Sequence, residues 1–207
     1  MKKMRLTFVV AMLAVAVSAS AQLNFGVKGG MTMSNYYGDE LSDKNVKIGF
    51  NVGLLADFEI GYNSAVQTGL LFLTKGSQYK GSFGSISGEV TVNPMYLQVP
   101  VHYAYKIAVT PGTRVVLHAG PYAAYGVGGK SNVKLSISDK SVESKGVDVF
   151  GDNGFKPFDA GLGLGVGAEL GSFLVDLGWD MGLVNIARSD NATLKNQSAY
   201  LSVGFKF

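Results

Sequence analysis

The chain has 207 residues, of which 28 are glycine and none is cysteine. It therefore has no disulfide framework, and its glycines show no Gly-X-Y period of the collagen type. The formal net charge of +3 comes entirely from residues 1–21, which contain three basic side chains and no acidic one. The rest of the chain is formally neutral, so the charge gives no support for nucleic-acid binding.

Residues 1–21 have the features of a secretory signal peptide. Three basic residues precede an apolar run at 6–17, which is shorter than the roughly 20 residues of a membrane-spanning helix. Ala19 and Ala21 occupy the small-residue positions of a cleavage site. We predict that residues 1–21 are removed on export and that residues 22–207 form one domain. Because no cysteine follows the cleavage site, a lipoprotein anchor is excluded.

Eight segments of the remaining chain alternate apolar and polar side chains with the period of two that is typical of β-strands. In chain order they span residues 23–33, 47–59, 64–75, 92–107, 114–127, 158–170, 173–183 and 198–207. Their lengths exceed the mode of about 5 to 6 residues for soluble strands and suit the roughly 9 to 11 residues of a tilted strand that crosses a bilayer.

The connections between these segments alternate between long and short, which is the wiring of an up-and-down outer-membrane barrel. We therefore predict an all-β fold, an eight-stranded antiparallel up-and-down transmembrane β-barrel. The long loops comprise residues 34–46, 76–90, 128–157 and 187–197. With an even strand number, both ends of the mature chain are expected in the periplasm.

Two features of the predicted barrel depart from a regular strand-and-turn pattern: its longest loop and two prolines within strands. The longest loop, 128–157, contains a weakly alternating piece and is expected to include a strand extension, because a structureless loop of that length would be unusual. This loop is also the favoured place for a partner to bind. Pro100 and Pro121 fall inside predicted strands, where each suggests a bulge or an irregular lip.

The clearest hairpin is at residues 158–186. One parity of its two strands is apolar, and the other is glycine with carboxylates. We interpret the apolar parity as the lipid face and the glycine parity as the wall of a crowded lumen, with glycine making room for long side chains opposite.

The inward positions of all eight strands predict a polar network in the lumen. It comprises Lys28, Asp57, Gln67, His102, His118, Asp176 and Asp180. Further inward charges are placed near the rims: Lys47, Glu59, Lys75, Lys106, Arg114, Asp159, Glu169 and Lys206. An eight-stranded barrel has an interior just wide enough for side chains to fill, and acids and bases packed there must pair. A side-chain plug is therefore the favoured interpretation.

Two other functions compete with this interpretation. His102 and His118, with Asp57 or Asp176, are the candidate groups for catalysis or metal binding. Two histidines without a third ligand are weak support for zinc, and general-base chemistry needs substrate access that a filled lumen denies. We predict no catalytic residue, no cofactor and no metal site. An open pore is disfavoured, because eight strands leave no channel of porin width.

Several motifs resemble a known family. They are FGVKGGMTMSN at 25–35, GFNVGLLADFEI at 49–60, YLQVPVHYAYK at 96–106, HAGPYAAY at 118–125, FDAGLGLGVGAEL at 158–170, GLVNI at 182–186 and the terminal LSVGFKF. The chain resembles the PorT-like outer-membrane β-barrel domain of Bacteroidetes, which is similar in architecture to OmpA and OmpX type barrels. Where that family often has an Arg-Tyr pair, this chain has Gly178 and Trp179, so an ion pair inferred there by analogy is in doubt.

The C-terminal strand also resembles an assembly signal. Its alternating apolar residues are Leu201, Val203, Phe205 and Phe207, similar to the signal that the barrel-assembly machinery reads. The predicted partners are therefore outer-membrane lipid, that machinery during biogenesis, and an extracellular or secretion-system protein that binds the four loops. The predicted function is a structural or interaction scaffold, with a role in a type IX secretion apparatus as the alternative that the resemblance implies.

Overall fold

The computed structural model describes residues 22–38, 46–83, 86–137, 140–150, 154–188 and 192–207. The predicted signal peptide and parts of all four predicted loops lie outside the described residues. Within the described part of the chain, no helix is long and apolar enough to cross a membrane.

The described residues form ten strands, and every recorded pairing between them is antiparallel. They are β1 (Gln22–Tyr37), β2 (Lys47–Gly61), β3 (Ser64–Thr74), β4 (Ser77–Phe83), β5 (Ile86–Thr110), β6 (Thr113–Ile137), β7 (Lys140–Asp148), β8 (Phe158–Leu170), β9 (Phe173–Gly182) and β10 (Lys195–Lys206).

Eight of these strands close into a barrel. The neighbours around the ring are β1, β2, β3, β5, β6, β8, β9 and β10, and β10 pairs back onto β1. These are the eight strands that the alternation predicts, so the all-β up-and-down fold is confirmed. Short turns at 62–63, 111–112 and 171–172 lie together at what we call the turn end, where β1 begins and β10 finishes. The longer connections lie at the opposite, loop end.

Two of the predicted loops contain additional strand structure. Within residues 76–90, predicted as a loop, Ser77–Phe83 form β4 and the residues from Ile86 onward begin β5. Residues 128–157 contain the end of β6 and all of β7, as expected for a strand extension. The outer halves of β5 and β6 pair with each other and are flanked by β4 and β7. This four-stranded upper sheet continues the barrel wall for roughly 30 Å of strand length beyond the ring, at about 3.3 Å per residue.

Three residues side by side mark the boundary between ring and upper sheet. Gly76 and Gly129 flank Pro94 of β5, and their φ angles are 139° and 142°, a region that L side chains rarely adopt. A Cβ on Gly129 would lie 2.7 Å from the Pro94 Cα. Pro94 has no N–H to donate, but its carbonyl accepts from the Lys75 N–H at 3.1 Å. The break between β3 and β4 therefore lies beside this proline.

Pro100 and Pro121 are not bulges. Pro100 is opposite Tyr122 and Pro121 is opposite Leu162 without a change of register. The shifts in the β5–β6 ladder occur instead at 95/96 and 108/110. The Thr68 hydroxyl donates to the Pro100 carbonyl at 2.7 Å, which provides a side-chain hydrogen bond between β3 and β5 at this point.

The outer face of the ring is a belt of exposed apolar side chains. On the hairpin of β8 and β9, Leu164 is 54% exposed and Trp179 is 38% exposed, and the two are directly opposite each other. Similar residues continue around the ring: Phe25, Met31, Phe50, Leu54, Leu70, Val99, Tyr103, Leu117, Leu201 and Val203. A soluble monomer rarely exposes a continuous apolar patch of more than a few hundred Å². An apolar belt of this kind is typical of a lipid-facing surface.

Candidate functional site

The lumen holds three clusters of polar side chains, stacked from the turn end to the loop end. Each is built from inward positions of strands that lie across the barrel from one another. We describe them as the turn-end, middle and loop-end clusters.

The turn-end cluster is a network of six charged side chains. Its members are Asp57, Glu59, Lys106, Arg114, Glu169 and Lys206. The Lys106 ammonium lies 2.9 Å from an Asp57 oxygen, 3.3 Å from Glu59 and 3.5 Å from Glu169. Lys206 contacts the carboxylates of Asp57 and Glu169. Three cations and three carboxylates balance, so this end of the lumen is formally neutral.

The middle cluster contains a chain of hydrogen bonds through both histidines. The Lys28 ammonium lies 3.0 Å from one Asp176 oxygen, and His118 Nε2 lies 2.8 Å from the other. The Nδ1 atoms of His118 and His102 are 3.0 Å apart, and the two rings are stacked with centroids 5.1 Å apart. The contact between Lys28 and Asp176 joins residues that are 148 positions apart in the sequence.

Three further residues, Gln98, Asp180 and Tyr200, complete the middle cluster. The Gln98 amide donates to Asp180 at 2.8 Å. The Lys28 ammonium lies 5.1 Å from the centroid of the Tyr200 ring, a favourable cation–π arrangement. Both Asp180 and Gln98 are almost fully buried.

Glycines on β8 make the room that these side chains occupy. A Cβ on Gly165 would lie 2.5 Å from His118 Nε2. A Cβ on Gly163 would lie 2.5 Å from Asp180 Oδ1 and 2.9 Å from His102 Nε2. Real Cβ atoms do not approach other atoms so closely, so the glycine parity of β8 is required by the imidazoles and the carboxylate packed against it.

The loop-end cluster centres on a fully buried ion pair. The Lys75 ammonium lies 3.0 Å from Asp159 Oδ2, and the two side chains are 1% and 0% exposed. The same oxygen accepts from Asn196 at 3.0 Å and from the Tyr122 hydroxyl at 3.3 Å. Lys75 also lies over the rings of Tyr122 and Tyr96, at 4.5 and 5.4 Å from their centroids.

The predicted lumen residues are distributed over these clusters. Five of the seven lie in the middle cluster, Asp57 lies in the turn-end cluster, and Gln67 lines the cavity between them. Lys75 and Asp159, which the sequence places near a rim, are instead among the most buried side chains in the described chain.

Sequence reasoning missed several members of the clusters. Tyr96, Gln98 and Tyr122 share the inward parity of their strands, which is the signal that would have included them. Tyr200 also has inward parity, on β10. Asn196 falls in the predicted loop 187–197 and was missed because β10 begins earlier than the alternation indicates.

The space that remains between the clusters is small, whereas a wider depression of about 310 Å³ lies at the turn end and is lined by Glu59, Lys106, Arg114, Glu169 and Lys206. The cavity between the turn-end and middle clusters has a volume of about 60 Å³, counted as the space open to the centre of a water-sized sphere. One water molecule needs about 10–15 Å³ of such space. The cavity therefore has room for a few waters. Among the described residues, no group of three or more His, Cys, Asp or Glu side chains is arranged to hold a metal ion.

Comparison with known proteins places the chain in a family. The family model "Outer membrane protein beta-barrel domain" matches residues 16–188. A search of the curated proteins finds no match to this sequence.

The solved structures to which this chain is similar include three bacterial proteins. The attachment invasion locus protein Ail of Yersinia pestis is 16% identical, over 89% of this chain and 98% of its own, with a TM-score of 0.39. Neisserial surface protein A is 12% identical over 88% and 97%, with a TM-score of 0.42. A major outer membrane protein from Thermus thermophilus is 13% identical over 89% and 99%, with a TM-score of 0.43.

Proposed function

The chain belongs to the outer membrane protein beta-barrel domain family, and we propose that it acts as a structural or interaction scaffold. In this proposal the barrel is anchored in outer-membrane lipid, presents its loop end to a partner, and has a closed lumen that neither catalyses a reaction nor conducts a steady current.

The observation that supports a closed lumen is the pairing of charges at three successive heights. Each cluster joins strands across the lumen, and the side chains of the middle and loop-end clusters are mostly buried, whereas Glu59, Arg114 and Lys206 of the turn-end cluster are partly or largely exposed. A water-filled pore would leave such groups solvated. Here the cations and carboxylates are within 3.0 Å of each other at Lys28–Asp176, Lys75–Asp159 and Lys106–Asp57.

Planar-bilayer recording tests this part of the proposal. We expect the purified barrel to insert without large, steady single-channel currents, while a porin in the same membrane gives them. A matched variant, Lys75→Ala with Asp159→Ala, removes the pair that closes the loop end. It is expected to increase brief openings. A large, steady conductance of the unmodified protein would contradict the proposal.

The upper sheet is the part of the barrel best placed to bind a partner. It projects beyond the ring on the loop end and is formed by residues from two of the predicted loops. A variant that replaces residues 134–143 with a two-residue Asn-Gly turn shortens the β6–β7 hairpin and leaves the ring intact. We expect this variant to fold and to lose binding to the surface partner. A matched control replaces the turn at 111–112, at the opposite end, with Asn-Gly.

The alternative function is a role in a type IX secretion apparatus, and the support for it is the PorT-like resemblance of the motifs. Deletion of the gene distinguishes the two functions, because a secretion component would leave cargo unexported inside the cell. Normal export in the deletion strain would reject the alternative and leave the scaffold proposal unaffected.

The scaffold proposal includes a route to the membrane. Residues 1–21 direct export and are removed before Gln22, the C-terminal strand is read by the barrel-assembly machinery, and both mature ends remain in the periplasm. The mass of the mature protein tests the cleavage site. Added protease should cleave a tag placed after Phe207 only when the outer membrane is opened.

A further inference from the structure

The two lumen histidines, which we call the histidine pair, meet through a contact that has room for one hydrogen. Nδ1 of His102 and Nδ1 of His118 are 3.0 Å apart, and the two rings are stacked with an angle of 15° between their planes. A hydrogen bond of this length holds a single hydrogen, which one nitrogen donates and the other accepts. This contact therefore limits the number of protons that the pair can hold.

The neutral pair satisfies the contact in one way. An ionised carboxylate only accepts, so His118 Nε2 donates to Asp176 at 2.8 Å. A neutral imidazole has one N–H, so His118 Nδ1 accepts and His102 Nδ1 donates to it. One added proton keeps both hydrogen bonds, because a charged His118 donates to Asp176 and to His102, which then has its own hydrogen on Nε2.

A second added proton has no place in the folded pair. It charges both rings and leaves an N–H on each of the two facing nitrogens. Turning one ring over would replace its nitrogen by a C–H, which is no acceptor for the opposite N–H. His102 Nε2 is buried and has no hydrogen-bond partner in the part of the chain that the structure describes. In a doubly charged pair, neither N–H of His102 would therefore have an acceptor, which is unfavourable for a buried cation.

The charges around the rings set the same limit. Within the middle cluster, the ammonium of Lys28 faces the carboxylates of Asp176 and Asp180. One added proton on the pair makes this set formally neutral, and a second leaves it with an unbalanced positive charge. The titratable and charged groups that face the cavity beside the rings from the other strands are Lys28 of β1, Asp57 of β2, Glu169 of β8, Asp176 and Asp180 of β9, and Tyr200 and Lys206 of β10.

The packing determines where the rings can move if they repel each other. On the side of β8 there is no space, because a Cβ on Gly165 would lie 2.5 Å from His118 Nε2 and a Cβ on Gly163 would lie 2.9 Å from His102 Nε2. Both rings also line the cavity of about 60 Å³, which has room for a few waters. Separation of the rings would therefore be toward this cavity.

We infer that the histidine pair is an acid-sensitive switch, in which uptake of a second proton separates the two rings and opens the middle cluster. At neutral pH the shared hydrogen joins β5 to β6, and Asp176 extends the connection to β9 and β1. The ion pairs of the other two clusters need no histidine, and carboxylates stay ionised down to about pH 4. The switch does not depend on which partner the upper sheet binds, so it goes beyond the scaffold proposal.

The switch makes stability depend on pH with a definite sign. The two histidines of the unfolded chain each take up a proton near pH 6.5, whereas the folded pair takes up one at most. The unfolded chain therefore binds more protons in mild acid, and stability present at neutral pH is lost as pH falls below about 6.5. One excess proton raises the unfolding equilibrium constant by up to about tenfold per pH unit.

Unfolding of the barrel in micelles between pH 7.5 and 4.5 tests the switch, with His102→Asn as the matched variant. The asparagine amide can turn over, so it donates to a neutral His118 and accepts from a charged one. The folded and unfolded states of the variant then take up the same number of protons at this site. Over this range the unfolding constant of the unmodified protein should rise up to about a hundredfold more than that of the variant. Equal pH dependence in the two proteins would contradict the switch.

NMR spectroscopy of the folded, unmodified protein gives a second test, with nitrogen-15 labels in histidine. At pH 5.5, two ordinary histidines would each be about nine-tenths charged. The folded pair should instead contain no more than one imidazolium, with a nitrogen–nitrogen coupling across the shared hydrogen. Further acid that charges both rings should abolish this coupling. Two charged rings at pH 5.5, or two charged rings with the coupling intact, would overturn the inference, whether or not the variant folds.

Discussion

Replacing Lys75 with methionine should destabilise the barrel severely, because it leaves a fully buried carboxylate without its cation. The side chain of Asp159 is 0% exposed and that of Lys75 is 1% exposed. Methionine has nearly the volume of lysine and keeps the apolar contacts with the rings of Tyr96 and Tyr122. The substitution therefore removes the charge with little change in packing.

The size of the effect follows from what remains around Asp159. Hydrogen bonds from Asn196 and Tyr122 persist, but neither neutralises the carboxylate. Breaking a buried pair by removing one partner typically costs about 3–5 kcal/mol, and the lost cation–π contacts add about 0.5–1 kcal/mol. Lys75→Met should therefore lower the free energy of unfolding by about 3–6 kcal/mol. Removing both charges, in Lys75→Met with Asp159→Asn, should recover much of this loss.

The assay is guanidinium unfolding of the barrel in detergent micelles, with all variants measured as a double-mutant cycle. The barrel contains its own control, because Arg114 makes a single ion pair with Glu59 at 3.2 Å while its side chain is 47% exposed. Arg114→Met should cost only about 0.2–1 kcal/mol, as is usual for solvated pairs.

Two results would refute this reasoning. The first is a cost of less than about 1 kcal/mol for Lys75→Met, similar to that of Arg114→Met, because burial would then make no difference. The second is a double variant that is no more stable than Lys75→Met, because the damage would then come from lost packing and not from the unpaired carboxylate.

Three further predictions concern the outer face, the glycines and the last strand. Leu164→Arg places a charge in the apolar belt and should cost about 2–4 kcal/mol near the bilayer midplane, measured by unfolding in lipid vesicles; normal stability with partition into a soluble fraction would contradict the membrane placement. Gly165→Ala should displace His118 and cost about 1–3 kcal/mol, whereas Gly128→Ala, with no atom within 4 Å of the added methyl group, should change stability little. Phe207→Ala should slow membrane assembly in cells and leave refolded protein stable, and unchanged assembly would argue against the C-terminal signal.

The ring could be predicted from sequence because its physical constraints repeat in every strand. Each spanning strand has a lipid face and a lumen face, so the period of two persists over about 10 or more residues. The upper sheet lies beyond the ring and lacks that constraint. Its residues at 76–90 are rich in glycine and serine, which are typical of loops, and the strands there depend on pairing with the outer half of β5.

Inward parity could predict most members of the candidate site, Asn196 excepted, but it could not predict how they pair. Inward parity identifies Lys28 and Asp176 as lumen residues, but they lie on β1 and β9 with β10 between them. Whether their side chains meet depends on the tilt and stagger of the strands, which no local pattern specifies. The burial of Lys75 was unpredictable for the same reason. The position of Lys75 along the barrel axis depends on the break in the strand at Gly76, and no local sequence pattern specifies it.

The cross-lumen contacts have a mechanical consequence that the strand ladder alone does not provide. Backbone hydrogen bonds fix each strand to its two neighbours but allow the cross-section of a ring to flatten. Lys75 links the β3–β4 junction to β8, and Gln98 links β5 to β9, so these contacts fix distances across the ring. Flattening the barrel would separate buried charges from their partners, which is costly. A barrel held in one shape by its lumen therefore keeps the upper sheet at a fixed position beyond the ring.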